Sequence, residues 1–379
     1  MTASEKVFDT IVVGGGLVGS AIAWGLAREG EKVALLDEGD IALRASRGNF
    51  GLVWVQSKGR NMPEYARWTR KSADLWPGFA EELIEVSGVS PDYHKPGGLH
   101  LLLSEEEREE TKALNERMSD YYGDLRPDTV MLDRKQVEEM LPGIGPDVIG
   151  GSWSPHDGHT SPLNLLRSLH MANAARGTHY VSDAKARKVM RDGSGNAVET
   201  DKGTFRAAKV ILAAGHGNKP LGAQVGLELP LIPEKGQVLV TERTKPFIPM
   251  PLHVLRQTDE GTVLIGDSHE DTGFSTESVT SVFTDIARYA VRCLPKIAKL
   301  RVVRTWGAVR ILTPDGSPIY DQSESHPGVF TINCHSGVTL AGAHALALAP
   351  QLAAGKLGPE FEAFSSRRFD NGTVHIAAH

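Results

Sequence analysis

Cysteine is nearly missing from this chain. Cys293 and Cys334 alone occur in 379 residues, so the chain by itself supplies neither a four-cysteine iron–sulfur cluster nor a C-x-x-C redox pair. An excess of positive charge is missing too. With 41 basic and 47 acidic residues the net charge is −6, and no basic run or basic–aromatic stripe offers a surface for nucleic acid. No apolar run comfortably spans a bilayer: the longest near the C-terminus, 338–354, is rich in Ala and Gly, contains Pro350, and predicts a buried helix rather than an integral membrane segment. The opening MTASEKVFDT lacks the charged flank and cleavage site of a secretory signal, so a cytoplasmic protein is expected. Repeats, low-complexity tracts and flexible linkers are absent, which argues against independent beads on a string. So are HExxH, G-x-S-x-G and P-loop patterns, which removes support for hydrolase or kinase chemistry. The histidines are dispersed, and no metal site is predicted.

What is present begins with TIVVGGGLVGSAIAWGLAREGEKVALLDEGD, residues 10–40. A strand over 8–13, a helix over 17–29 and a strand over 32–36 make a β-α-β unit. Gly14, Gly16 and Gly19 form G-x-G-x-x-G between the first strand and the helix, with Leu17 and Val18 opening that helix. Gly14 permits the tight turn, Gly16 lets the backbone approach a pyrophosphate, and Gly19 allows close helix–strand packing. The helix N-terminus offers unpaired N–H groups to the anion. Asp37, followed by Glu38, ends the second strand where a carboxylate can accept from ribose hydroxyls. A dinucleotide is expected; NAD and FAD both satisfy this pattern.

Further along, helical spacing over 62–86 contains Pro77, which predicts a kink or break. A strand over 99–103 leads to Ser104 and Glu107, a capping box. Asp157-Gly158 predicts a turn, and Ser161-Pro162 starts a helix through 169. The apolar run 210–213 has the character of a buried parallel strand. Alternating segments at 237–241, 253–257 and 262–266 predict antiparallel strands instead. The simplest organisation is an α/β protein. A discontinuous nucleotide domain is expected from 1–90, 145–225 and 300–379, with an inserted antiparallel-sheet (α+β) substrate domain from 91–144 and 226–299.

After Asp37 the chain reads RASRGNFG over 44–51 rather than entering another regular β-α unit. This loop, with DGHTSPLNLL at 157–166, VILAAGHGN at 210–218, GTVLIGDSHEDTGF at 261–274, WGAVRILTPDGSPI at 306–319 and CHSGVTLAG at 334–342, resembles the FAD-dependent D-amino-acid oxidase and glycine oxidase family along nearly the whole chain. The wording GNFGLVWVQSKG, YARWTRKS and CHSGVTLAG is similar to the FAD subunits of opine oxidases, hydroxyproline dehydrogenases and hydrogen cyanide synthases. The resemblance implies a Rossmann-like FAD domain, non-covalent FAD, and an antiparallel sheet over the reactive face of the flavin. It implies that Arg44, Ala45, Ser46, Arg47, Gly48, Asn49, Gly51 and Leu52 lie beside the pyrophosphate and flavin. It also implies a backbone contact from Val189 to adenine, and close passage of Ala214 and Gly215. Gly337, Val338, Thr339 and Leu340 lead into the terminal helix, whose positive end would face the flavin and stabilise its anionic reduced form.

At the substrate end, the resemblance makes Arg310 the clamp on a substrate carboxylate. A guanidinium offers two parallel donors and keeps its charge, so it can orient the amine-bearing carbon. His335, His253 and Arg256 are the further candidates there; His335 is equally compatible with a structural histidine, and Arg256 with a brace on its loop. The expected chemistry is dehydrogenation of the C–N bond of an amino acid or secondary amine (opine, imino acid or D-amino acid) to an imine. Hydrolysis then gives a 2-oxo acid or aldehyde. Partner subunits are expected to be possible recipients of the electrons. The alternative is an FAD-binding electron-transfer or assembly subunit whose substrate is held by a partner. The purified protein is expected to be yellow, with a spectrum that NAD leaves unchanged; a colourless protein that binds NAD would remove the FAD reading.

Overall fold

The computed structural model describes residues 7–39, 45–123, 126 and 128–370. Strand Val7–Val13 pairs in parallel with Val33–Leu36 on one side and Gly203–Leu212 on the other. Ile11, Val12, Leu35 and Ile211 are fully enclosed, as strands covered on both faces require. The sheet continues in parallel to His179–Val181 at one edge and to Val329–Asn333 at the other, where Ile319–Gln322 adds an antiparallel strand. A hairpin of Ala186–Asp192 and Gly195–Thr200 branches from Gly203–Leu212. Helix Leu17–Arg28 lies against the terminal helix so closely that a Cβ at Gly25 would stand 2.2 Å from the Ala345 carbonyl oxygen.

A four-stranded antiparallel sheet runs in the order Leu255–Gln257, Val263–Ile265, Ile232–Thr241 and Val302–Leu312. A three-stranded sheet of Gly98–Leu102, Gly150–Ser154 and Val130–Asp133 joins it through a bridge between Leu99 and Leu252. Leu99, Leu101, Val137, Leu255, Val263 and Ile265 share one core with the helix Thr280–Cys293. The architecture is therefore α/β with an antiparallel second layer. The stretches 150–154 and 302–312, expected with the nucleotide domain, pair in the antiparallel layers. Val302–Leu312 follows Ile232–Thr241 along its whole length, and its mixed burial is that of a sheet with one wetted face. Among the described residues, no helix is long and apolar enough to cross a membrane.

At Pro77, where a kink or break was expected, the helix Pro63–Ser87 is not broken: it continues through that residue. Proline has no N–H, so the carbonyl of Ala73 loses its helical donor. Lys95 replaces it, with Nζ donating to the Ala73 oxygen at 3.3 Å. On either side of Pro77, the fully buried Trp76 and Phe79 meet edge to face, and Trp24 packs on Phe79. Ser104 accepts from the Glu107 N–H at 3.2 Å, whereas the Glu107 carboxylate reaches back to the N–H of Leu103 rather than that of Ser104. Ser161 caps Pro162–Ala175 as expected, accepting from the Asn164 N–H. The terminal helix consists of Ala341–Ala343, a π-helical turn His344–Leu348 and Ala349–Ala353.

Lys95→Met is expected to cost about 1 kcal/mol of stability, the scale of one partly exposed hydrogen bond. In a Pro77→Ala background, where the substituted residue supplies the missing N–H, most of that cost is expected to vanish. A double-mutant cycle in urea checks this; equal losses in both backgrounds would exclude the Lys95 compensation.

Candidate active site

A cavity of about 910 Å³ is lined at one end by the glycine turn after the first strand and at the other by the four-stranded sheet. That volume lies toward the upper end of ligand sites. At Gly14, φ is 111° and a Cβ would meet the Ala213 carbonyl oxygen at 2.4 Å, so glycine is required on two counts. A Cβ at Gly19 would stand 1.9 Å from the Gly14 oxygen, which makes this third glycine a packing residue outside the cavity wall. Gly16 caps the helix but has no side chain to satisfy it; Ser46 arrives from the following loop, its Oγ accepting from the Leu17 N–H at 3.0 Å. Asp37 accepts from Gly15 and Gly39 at 2.7 and 3.0 Å, and lines the cavity with Glu38, Leu17 and Val18. A helix N-terminus with no acidic residue in its first turn, set in a side-chain-free cradle beside a carboxylate, fits a dinucleotide pyrophosphate and ribose.

Ala45, Ser46, Arg47, Gly48, Asn49 and Leu52 line the same cavity, as do Ala214, Gly215, Gly337, Val338 and Thr339. Arg44 lies outside the described residues. Three expected contacts fall elsewhere. Gly51, at φ 94°, is hemmed in by the Thr160 carbonyl oxygen, 2.4 Å from where a Cβ would stand; it shapes the loop rather than lining the cavity. Val189 gives its N–H to Gln224 Oε1 at 3.0 Å, and Arg187 and Gln224 line the wall instead. Leu340 is fully buried behind the cavity wall, giving its N–H to the Ser336 carbonyl. Arg256 also stands outside the cavity: Nε donates to the Phe50 carbonyl and the guanidinium lies 5.9 Å from the Phe50 ring, so this buried side chain braces the loop.

Arg310, His253 and His335 do meet at the far end of the cavity. Arg310 is held firmly. Its Nη1 donates to Glu234 Oε1 at 2.9 Å and to the Ser268 carbonyl at 2.7 Å, and Nη2 pairs with Asp267. His269 pairs with the same two carboxylates, at 2.8 Å to Glu234 and 3.3 Å to Asp267, and these partners push it up to about 9. Burial alone would raise the Asp267 carboxyl, but Arg310 and His269 outweigh it and hold it well below the usual carboxylate range. Two cations thus balance two anions at the cavity wall. The His253 ring is exposed to the cavity and lies deep within it; desolvation there and the neighbouring His100 push it down to about 3, so it is neutral at physiological pH.

Two residues missed in the sequence belong to this end. Lys58, on the turn after strand Leu52–Val53, faces the cavity with Nζ 3.0 Å from His335 Nε2. Burial pushes this amine down to about 8. Its signal was visible: it is the single charged residue from Gly48 to Gly59. Asp157, expected only in a turn, is fully buried. Its Oδ1 accepts from the Val55 N–H at 2.5 Å and its Oδ2 from Gln56 Nε2 at 2.7 Å, so it anchors the approach to Lys58. Burial raises this carboxyl to about 7 in spite of those donors.

Residues 9–351 match the family described as FAD dependent oxidoreductase. The chain is 42% identical to an opine oxidase subunit of Rhizobium meliloti over 96% of this chain and 98% of that protein. The corresponding opine oxidase subunit of Agrobacterium tumefaciens (strain Ach5) is also 42% identical, over 95% of this chain and 97% of its own. The crystal structure of glycine oxidase from Geobacillus kaustophilus superposes with a TM-score of 0.87 at 25% identity, covering 98% of this chain and 99% of that one.

Gly16→Val is expected to abolish FAD retention, because a Cβ there would lie 2.8 Å from Ser46 Oγ, inside the cradle. Absorbance at the flavin band of the purified, folded variant is the measurement; a fully yellow variant would place the pyrophosphate elsewhere.

Proposed function

The chain belongs to the family of FAD-dependent oxidoreductases, and on that premise we propose that it dehydrogenates the C–N bond of a carboxylated amine. The substrate class is an amino acid or a secondary amine such as an opine, imino acid or D-amino acid. The imine product is hydrolysed to a 2-oxo acid or aldehyde. The observation that carries this reading is Arg310, held in fixed orientation at the opposite end of the cavity that begins with the dinucleotide cradle. The likeness to opine oxidase subunits supports the substrate class.

Ser46, the glycine turn, Asp37 and Glu38 would hold FAD, which supplies the acceptor for a hydride when bound. The protein's own task is to orient and to balance charge. The Asp267 carboxylate, paired with Arg310, marks the seat of an incoming carboxylate. A substrate acid displacing it there would leave Asp267 on His269 and add one negative charge to the set, which the substrate's own ammonium offsets. Neutral His253 leaves that balance unchanged. Trp54, its ring centroid 5.8 Å from His253, adds an apolar surface that excludes water around the amine-bearing carbon. A charged constellation of this kind within the cavity supports a substrate site in this chain rather than in a partner. The designation of the relatives as subunits supports partner chains, which we infer receive the electrons.

Anaerobic mixing with a panel of amino acids, opines and iminodiacids is expected to bleach the flavin with at least one member. Arg310→Ala is expected to raise the half-saturating concentration of that substrate at least about tenfold, the loss of one charged pair. A flavin that stays oxidised across the panel would remove the proposed reaction; unchanged saturation in the variant would remove the carboxylate role of Arg310.

A further inference from the structure

Resting on the amine-oxidation reading above, we propose that Lys58 is the base that removes the proton from the substrate's ammonium group before its C–N bond is oxidised. The backbone is bent to present this side chain. Ser57 lies in the left-handed region at φ 60° and Gly59 at φ 75°, where a Cβ on Gly59 would meet the Ala66 nitrogen at 2.3 Å. A non-glycine residue in that region is strained and persists where the surroundings enforce it. Asp157 enforces it here by binding the N–H groups of Val55 and Gln56, while the Lys58 N–H closes the turn on the Val55 carbonyl at 3.2 Å.

The amine is aimed as well as placed. His335 Nδ1 lies 3.4 Å from Ser336 Oγ, which is 2.7 Å from the hydroxyl of the buried Tyr65. In the tautomer that donates Nδ1–H to Ser336, Nε2 is bare and accepts one N–H of Lys58 at 3.0 Å. A neutral lysine held this way keeps its lone pair for the cavity. His335, Ser336 and Tyr65 are positioning residues in this scheme.

The charged and titratable groups facing Lys58 are His335, Asp267, Arg310, Arg60, Cys334 and, across the cavity, His253. Burial outweighs them and brings the amine down to about 8. About half of it is then neutral at pH 8 and about a tenth at pH 7, whereas an ordinary lysine is almost wholly charged. The matched range is that of an efficient base at physiological pH. An N–H bond of the substrate ammonium breaks, its electron pair stays on the substrate nitrogen, and the proton bonds to the Nζ lone pair. Asp267 favours the resulting Lys58 ammonium. The freed nitrogen pair becomes the second bond of the imine as the α-hydrogen leaves with its own pair, with FAD as the oxidant.

The test is the anaerobic rate of flavin reduction from pH 6 to 10 in the FAD-loaded wild type, Lys58→Met and Lys58→Arg, with the amine that reduces the wild type best. In parallel, flavin spectral perturbation measures the Kd of 2-aminoisobutyrate, which has the amine and carboxylate but no α-hydrogen. The wild-type rate is expected to rise with pH through a limb near 8. In both variants the rate at pH 7.5 is expected to fall at least about a hundredfold, as for loss of a general base, while the Kd changes by less than about threefold. Their limb is expected to move up to the ordinary pKa of the substrate's own ammonium. Should the methionine variant fail to hold FAD, the arginine variant, which keeps length and charge, carries the comparison alone. A limb near 8 surviving in either variant, or a wild-type rate restored by arginine, overturns the assignment while leaving the proposed reaction standing. A wild-type flavin that no candidate amine bleaches removes that reaction and this assignment with it.

Discussion

Buried hydrogen bonds hold the segment 52–58 between the two layers, and the cavity depends on that tie. Thr339, at the entrance to the terminal helix, accepts from the Trp54 N–H and donates to the Leu52 carbonyl. Asp157, from the other side, accepts from Val55 and Gln56. The N–H groups of Trp54, Val55 and Gln56 are shielded from water, so losing their partners would cost the full desolvation penalty rather than the modest net value of one hydrogen bond. The consequence is geometric. The segment between the pyrophosphate cradle and Lys58 is tied at Leu52, Trp54, Val55 and Gln56, which links the two ends of the cavity.

Charge balance is the second constraint. Arg310 and Asp267 at the cavity wall, with His269 and Glu234 behind them, form a paired set, two of each sign. Buried ions are tolerated when paired and hydrogen-bonded, and removing one partner strands the other. The set therefore orients Arg310, and the opposing effects of Asp267 and Arg310 on Lys58 partly cancel. Within the cavity Lys58 and His253 lose protons more readily than in water, because desolvation dominates both. Preorganisation of this kind, in which groups are aimed before the ligand arrives, is the main contribution a protein makes to cofactor chemistry.

Local rules read directly from residues survived well. The G-x-G-x-x-G turn, the Ser161 cap and the buried strand at 210–213 each depend on neighbours in sequence, and each stands where its residues require. Long-range partners decided what local rules left open. Pro77 predicts a kink or break, but the helix runs on through it, and Lys95, eighteen positions on, replaces the missing donor. Val189 has a free N–H only until Gln224 folds against it. Arg256 carries the same charge as Arg310, yet one reaches the cavity and the other braces Phe50, a difference set by which loop each meets. Lys58 was legible as a lone charge in an apolar stretch, but its task requires the contact with His335, 277 residues away.

By itself the sequence determined the nucleotide end, because steric demands on a turn and the open N–H groups of a helix start are properties of consecutive residues. It also determined the α/β class, through the contrast between continuously apolar and alternating runs. Only the tertiary structure decided which charges share the cavity, which of them are already balanced, and which amine is driven toward neutrality. Those outcomes depend on burial and on distances between groups from remote parts of the chain, and electrostatic interactions change severalfold with such distances and with the local dielectric.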